Sequence, residues 1–198
     1  MAVNREPILK KCKSLGISPM VMGVAKETKR DPNANKRRKV SEYGLQLKEK
    51  QKLKFIYGMG EKQFAHYFEL SEKQEGQAGT NLLTMLESRL DNVVFRMGLS
   101  MTRREARQVV DHKHILVNGK CVNIPSYQVK AGDVIEVKES AKTMQRYKDI
   151  LEVTAGRLTP EWMDVEKEAF KGTVKQLPTR EMIDVPVDEM LIVELYSK

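Results

Sequence analysis

Between Asn81 and Gly98 the chain reads NLLTMLESRLDNVVFRMG, with Leu82, Leu83, Leu86, Leu90, Val93, Val94 and Met97 recurring at three- and four-residue spacing. That stripe predicts one amphipathic helix, ended by Gly98, whose apolar face other elements must cover. Arg89 and Arg96 fall seven residues apart on its polar side, where an anion can reach them.

Directly after it, Thr102 and Glu105 form a T-x-x-E capping box that starts a second helix. Ala106, Val109 and Val110 make its inner side. Arg103, Arg104 and Arg107 spread over roughly 100° of another side, so all three can approach one phosphate path; surface ion pairing is the alternative. The run HILVNGKCVNI then signals a β-hairpin, because Asn118-Gly119 is a preferred pair for a type I′ turn, with Lys120 at the tip. KAGDVIEVK adds a turn and another strand.

Upstream, SEYGLQLKEKQKLKFIYG predicts a helix with a core stripe of Leu45, Leu53, Ile56 and Tyr57. Lys48 and Lys52 flank that stripe on one side, Lys50 and Lys54 on the other, to grip phosphates or to meet water. In EKQFAHYFEL, Phe64, Tyr67 and Phe68 share a face and His66 points away from it. Downstream, SAKTMQRYKDILEVTAG predicts one helix stopped by Gly156, and TPEWMDV and GTVKQLP are expected to be extended. DEMLIVELYSK is ambiguous between helix and strand, with helix preferred and Asp188 as its cap.

These elements predict an α+β fold in four segments: a basic amino-terminal arm (1–40), a helical region (41–86), a module of helices on a small antiparallel sheet (87–150) and a carboxy-terminal extension packed on both (151–198). Residues 1–40 hold too little apolar area to offset ordering entropy, so the arm is expected to stay extended or disordered until it meets a partner. Positive charge concentrates at that end. Residues 1–58 carry 15 Lys and Arg against 5 Asp and Glu, residues 59–150 carry 14 against 12, and residues 151–198 carry 6 against 10. A polyanion such as nucleic acid is drawn to the first part, while the acidic last part suits solvent or a basic protein.

Several chemistries find no support. No apolar run approaches the roughly 20 residues that span a bilayer, and the start lacks a secretory h-region, so no membrane partner is expected. Cys12 and Cys121 lie far apart, which argues against a disulfide framework and for a reducing compartment, the cytoplasm. With no C-x-x-C pair, and with His112 and His114 lacking a carboxylate spaced to help, no metal site is expected. Gly58 and Gly60 make only G-x-G, and no nucleophile elbow occurs. The reading is a binding protein, with no catalytic residues and no cofactor. His112 and His114 are either contacts to phosphate or ribose or structural groups at a helix end.

Taken in order, SEYGLQLKEKQKLKFIYG, LLTMLESRLDNVVFRMG, TRREARQVVDHKHILVNGKCVNIPSYQVKAGDVIEV and DEMLIVELYSK resemble successive signatures of the bacterial small-subunit ribosomal protein S-four family. The resemblance implies a structural constituent of the small ribosomal subunit, in the cytoplasm, that binds small-subunit ribosomal RNA early and nucleates the body of the subunit. It carries RNA contact onto Arg103, Arg107, His112, His114, Asn118 and Lys120. It also places Lys36, Arg37, Arg38 and Lys39 beside the messenger RNA entry path, and implies contact with the neighbouring small-subunit protein S-five on a surface linked to translational accuracy. Many relatives bind zinc through four cysteines in the arm. Here only Cys12 remains, so the chain resembles the zinc-independent form, its arm ordered by Leu9, Leu15, Ile17 and RNA. RNA-modifying enzymes that carry the same module append a large catalytic domain, for which neither flank has room.

Overall fold

A computed structural model describes residues 6–26 and 40–197. They fall into two units, Met1–Leu83 with Asp184–Lys198, and Thr84–Ile183. Residues 151–183 therefore group with the second unit and 184–198 with the first.

The first unit opens with helix α1 (Ile8–Leu15), closed by Gly16 at φ 74°, and a 3-10 turn over Pro19–Met22 started by the Ser18 hydroxyl, which accepts from Met20 N. Cys12, Leu15, Ile17 and Met22 are buried. This part of the arm is thus ordered within the chain, correcting the expectation of an extended segment: its four buried side chains supply the apolar area that the polar remainder lacks. Helix α2 (Glu42–Ile56) starts on the Ser41 hydroxyl and α3 (Glu61–Glu72) buries Phe64, Tyr67 and Phe68.

The carboxy-terminal helix Glu189–Tyr196, capped by Asp188, packs on α2. Tyr196 stacks on Phe68 with ring centroids 4.3 Å apart, and Gln46 Nε2 donates to Glu194 Oε2 at 3.1 Å. This contact explains a difference from the periodicity. Leu45 is 46% exposed, whereas Gln46 is buried, because its amide finds a carboxylate that no local pattern announces.

In the second unit the long helical stripe is broken. Helix α4 (Ala78–Glu87) ends at Ser88, Arg89 is extended, and α5 (Leu90–Arg96) starts afresh. The cause is tertiary: Val129 N donates to Ser88 O, Leu90 N to Tyr127 O and Asp91 N to Pro125 O, so a neighbouring segment takes over backbone groups a continuous helix would pair. Helix α6 (Arg103–Asp111) follows and leads into a five-stranded antiparallel sheet of order β2-β1-β3-β5-β4. Its strands are β1 (Ile115–Val117), β2 (Lys120–Cys121), β3 (Val134–Val137), β4 (Met163–Glu166) and β5 (Lys171–Val174).

The expected single helix after β3 is two, α7 (Glu139–Lys142) and α8 (Gln145–Thr154). Ala141 and Tyr147 are both buried. At about 100° per residue an unbroken helix would point them far apart, and the kink at Thr143–Met144 turns both into one core with Val109, Ile135 and Trp162. Among the described residues no helix is long and apolar enough to cross a membrane.

Candidate nucleic-acid interface

The arginines around α5 and α6 divide by burial. Arg89 is 0% exposed and grips Asp91 through Nε to Oδ1 at 3.0 Å and Nη2 to Oδ2 at 2.7 Å. Arg96 makes the same fork onto Glu87, at 3.0 and 2.8 Å. Glu87 also accepts from Asn92 Nδ2 at 2.7 Å, and Asn92 Oδ1 accepts from Arg103 Nε at 2.9 Å. The Arg103 guanidinium lies 4.3 Å from the Phe95 ring centre and the side chain is buried.

Two expectations need correction. Arg89 is not on an accessible polar face, because the helix break turns it inward onto Asp91. Nor does Arg103 share a phosphate path with its neighbours: Asn92 and Phe95 hold it inside. These groups form a scaffold of matched charges. Above it, Arg104 is half-buried, and Arg107 Nη1 lies 4.0 Å from Asp91 Oδ2.

Helix α6 begins on the Thr102 hydroxyl, which accepts from Glu105 N at 3.2 Å. The Glu105 carboxylate returns to Met101 N, one residue earlier than a reciprocal box requires. At the other end, His112 is exposed and Lys113 takes φ 62°, a left-handed step that redirects the chain into β1. The His112 and His114 ring centres are 6.2 Å apart. Burial, and then the electrostatic effect of His112, Arg146 and Lys138, holds the His114 imidazole below its ordinary pKa.

Asn118 and Gly119 both have positive φ, 51° and 74°, as the expected turn demands. The Asn118 side chain faces its own fold: Nδ2 donates to Asp133 Oδ1 at 2.8 Å and Oδ1 accepts from Val134 N at 2.9 Å. Its amide thus ties the hairpin to the start of β3. Lys120 is exposed beside Cys121, whose Sγ reaches Lys113 O at 3.5 Å, so Lys113 and the hairpin tip form one basic edge with the histidines. Sequence reasoning missed Lys113, although its place between two histidines was a signal.

Comparison with known proteins places this geometry. The family model described as "S4 domain" matches residues 88–135, and the one described as "Ribosomal protein S4/S9 N-terminal domain" matches residues 4–87. The chain is 63% identical over 198 residues to the small ribosomal subunit protein uS4 of Lachnospira eligens, covering all of both chains. The chain belongs to the uS4 family of small ribosomal subunit proteins. The uS4 proteins of Agathobacter rectalis, 64% identical over 199 residues, and Fusobacterium nucleatum, 48% over 200, are likewise covered end to end.

The S4-domain match spans α5, α6, the hairpin and the start of β3. In the part of this uS4-family chain matched by the amino-terminal model, the α2 lysines are less available than expected. Lys50 and Lys54 both reach Glu61, at 2.7 and 2.9 Å, and Lys52 pairs with Glu49. Burial pushes the Glu61 carboxyl up, but Lys50 and Lys54 outweigh it and hold the pKa below the usual range. Lys48 is exposed. The basic cluster Lys36, Arg37, Arg38 and Lys39 lies outside the described residues. Cys12 is buried, which pushes its thiol up, and among the described residues no group of His, Cys, Asp or Glu is placed to hold a metal.

Proposed function

We propose that this chain is a structural constituent of the small ribosomal subunit that binds small-subunit ribosomal RNA through α6 and the hairpin and nucleates assembly of the subunit body in the cytoplasm. The observation that carries the reading is the basic edge of Arg104, Arg107, His112, Lys113, His114 and Lys120, set on a scaffold of buried ion pairs that fixes its shape. A fixed row of cations and imidazole donors suits RNA, which is read by shape and backbone more than by sequence. The protein acts by binding rather than by catalysis.

Three finer roles belong to the same reading. Lys36, Arg37, Arg38 and Lys39 line the messenger RNA entry path, supported by the charge of the amino-terminal part. Lys48, with Lys50, Lys52 and Lys54 once RNA phosphates compete with Glu49 and Glu61 for them, adds phosphate contacts. A neighbouring protein, S-five, docks on the first unit and contributes to accuracy, supported by the exposed Tyr43 and Leu45 on α2 and Met190 on the carboxy-terminal helix.

The test is filter binding to intact small-subunit ribosomal RNA and to an equal mass of unrelated structured RNA across a salt series. Selective binding is expected, with log affinity falling by about 0.7 to 0.9 per phosphate contact for each tenfold rise in salt. Arg104→Ala with Arg107→Ala should weaken binding without redirecting it. Equal affinity for both RNAs would reduce the protein to a general polyanion binder.

A further inference from the structure

Next to the basic edge, the end of β3 and the first turn of α8 carry two more cations, Lys138 and Arg146, of which only Arg146 meets a carboxylate. Lys138 is exposed and among the described residues makes no ion pair, and its backbone N donates to His114 O at 2.8 Å, which fixes the end of β3 against the start of β1. Arg146, in the first turn of α8, is 41% exposed and bends toward Glu105, donating to Oε1 from Nε at 3.1 Å and Nη2 at 2.8 Å. The His114 ring centre lies 6.4 Å from that of Tyr147, the residue after Arg146 in α8, and Arg146 and Lys138 both act electrostatically on His114.

Of the nearby carboxylates only Glu105 meets the cluster, through Arg146. Glu139 pairs with Lys142, Asp149 accepts from Gln145, and Glu105 divides its oxygens between Arg146 and Met101 N. The first turn of α8 holds no acidic residue and its N-cap, Met144, offers no side-chain oxygen, so Arg146 sits where the helix dipole is already positive. A fold that keeps like charges together at such a place has an anion to meet there.

We propose that Lys138 and Arg146, joined to the basic edge at His114, form a further phosphate-binding site that takes a phosphodiester of the bound RNA, so that the RNA surface continues past the hairpin onto the first turn of α8. The inference rests on the RNA-binding reading above. Two of its three residues, Lys138 and Arg146, lie beyond residues 88–135, the stretch matched as an S4 domain. Glu105 acts as the internal stand-in for the phosphate: it holds Arg146 in place until RNA arrives, then shares it or gives it up.

The experiment compares the full-length wild type with Lys138→Ala, Arg146→Ala and Glu105→Gln, each against small-subunit ribosomal RNA and unrelated structured RNA across a salt series, with thermal melting alongside. Lys138→Ala and Arg146→Ala should each weaken binding roughly tenfold, the scale of one charge-assisted hydrogen bond. Each should make the salt slope shallower by about 0.7 to 0.9. Glu105→Gln keeps a capping side chain and releases Arg146, so its affinity should be unchanged or higher.

Wild-type affinity for both variants would end the surface at the hairpin. Equal weakening by Arg146→Ala and Glu105→Gln would make Arg146 a structural partner of Glu105 and overturn the site. Selectivity of the wild type between the two RNAs judges the broader reading separately. The slopes judge this site on either RNA.

Discussion

The Asp91 carboxylate holds the Arg89 guanidinium by two parallel hydrogen bonds while its Oδ1 also accepts from Asn92 N at 2.9 Å. One buried acid thus fixes the helix break and the arginine inside it. Removing one partner of such a pair strands the other charge, so Asp91→Ala should cost about 3 to 5 kcal/mol. Replacing the pair together, Arg89→Met with Asp91→Leu, should cost less than the single change. Urea denaturation of the three variants checks the ordering.

Asn118 serves the turn twice, by tolerating φ 51° and by its two side-chain hydrogen bonds. Asn118→Gly keeps the first and loses the second; Asn118→Ala loses both. Stability should fall in the order wild type, Gly variant, Ala variant, the last by about 1 to 3 kcal/mol. If the hairpin presents Lys120 to RNA, affinity should follow the same order.

Tyr196 stacks on Phe68, and Lys50 Nζ lies 5.4 Å from the same tyrosine ring. Burial, followed by the Glu61 carboxylate, pushes the Tyr196 hydroxyl up to about 12. Tyr196→Ala should destabilise the first unit by about 2 to 4 kcal/mol. Hydrogen exchange should quicken in α2 and α3 and change little in the sheet.

His114 titrates below its ordinary value in the folded chain, chiefly through burial and then through the electrostatic effect of His112, Arg146 and Lys138. The unfolded chain therefore takes up the proton first. Its contribution to stability is fully present above about pH 6.5 and is lost as pH falls through the folded value. A bound phosphate reverses the preference, so RNA affinity should rise over the same interval. His114→Gln should flatten both curves, read by denaturation and filter binding between pH 5 and 8.

Local signals carried much of the fold. The Thr102 cap of α6, the Asn118-Gly119 turn and the Asp188 cap need only neighbouring residues to act, and each forms as its spacing implies, although Glu105 closes its half of the box on Met101 N. The break at Ser88–Arg89 was illegible because backbone groups from Pro125 to Val129 cause it. The same distance hides the fate of charges. Nothing in TRREAR separates Arg103 from Arg104, yet Asn92 and Phe95 take the first inward.

The first unit is assembled from two stretches of chain, one ending at Leu83 and the other beginning at Asp184, while the second is a single stretch between them. Synthesis is directional, so the order of completion is set. The sheet unit can close on its own contacts while the helical unit still lacks Val185, Val187 and Ile192, all buried in the finished protein. Until those residues emerge, part of the core around α2 and α3 stays unsealed, and the Phe68 ring waits for Tyr196 to cover it.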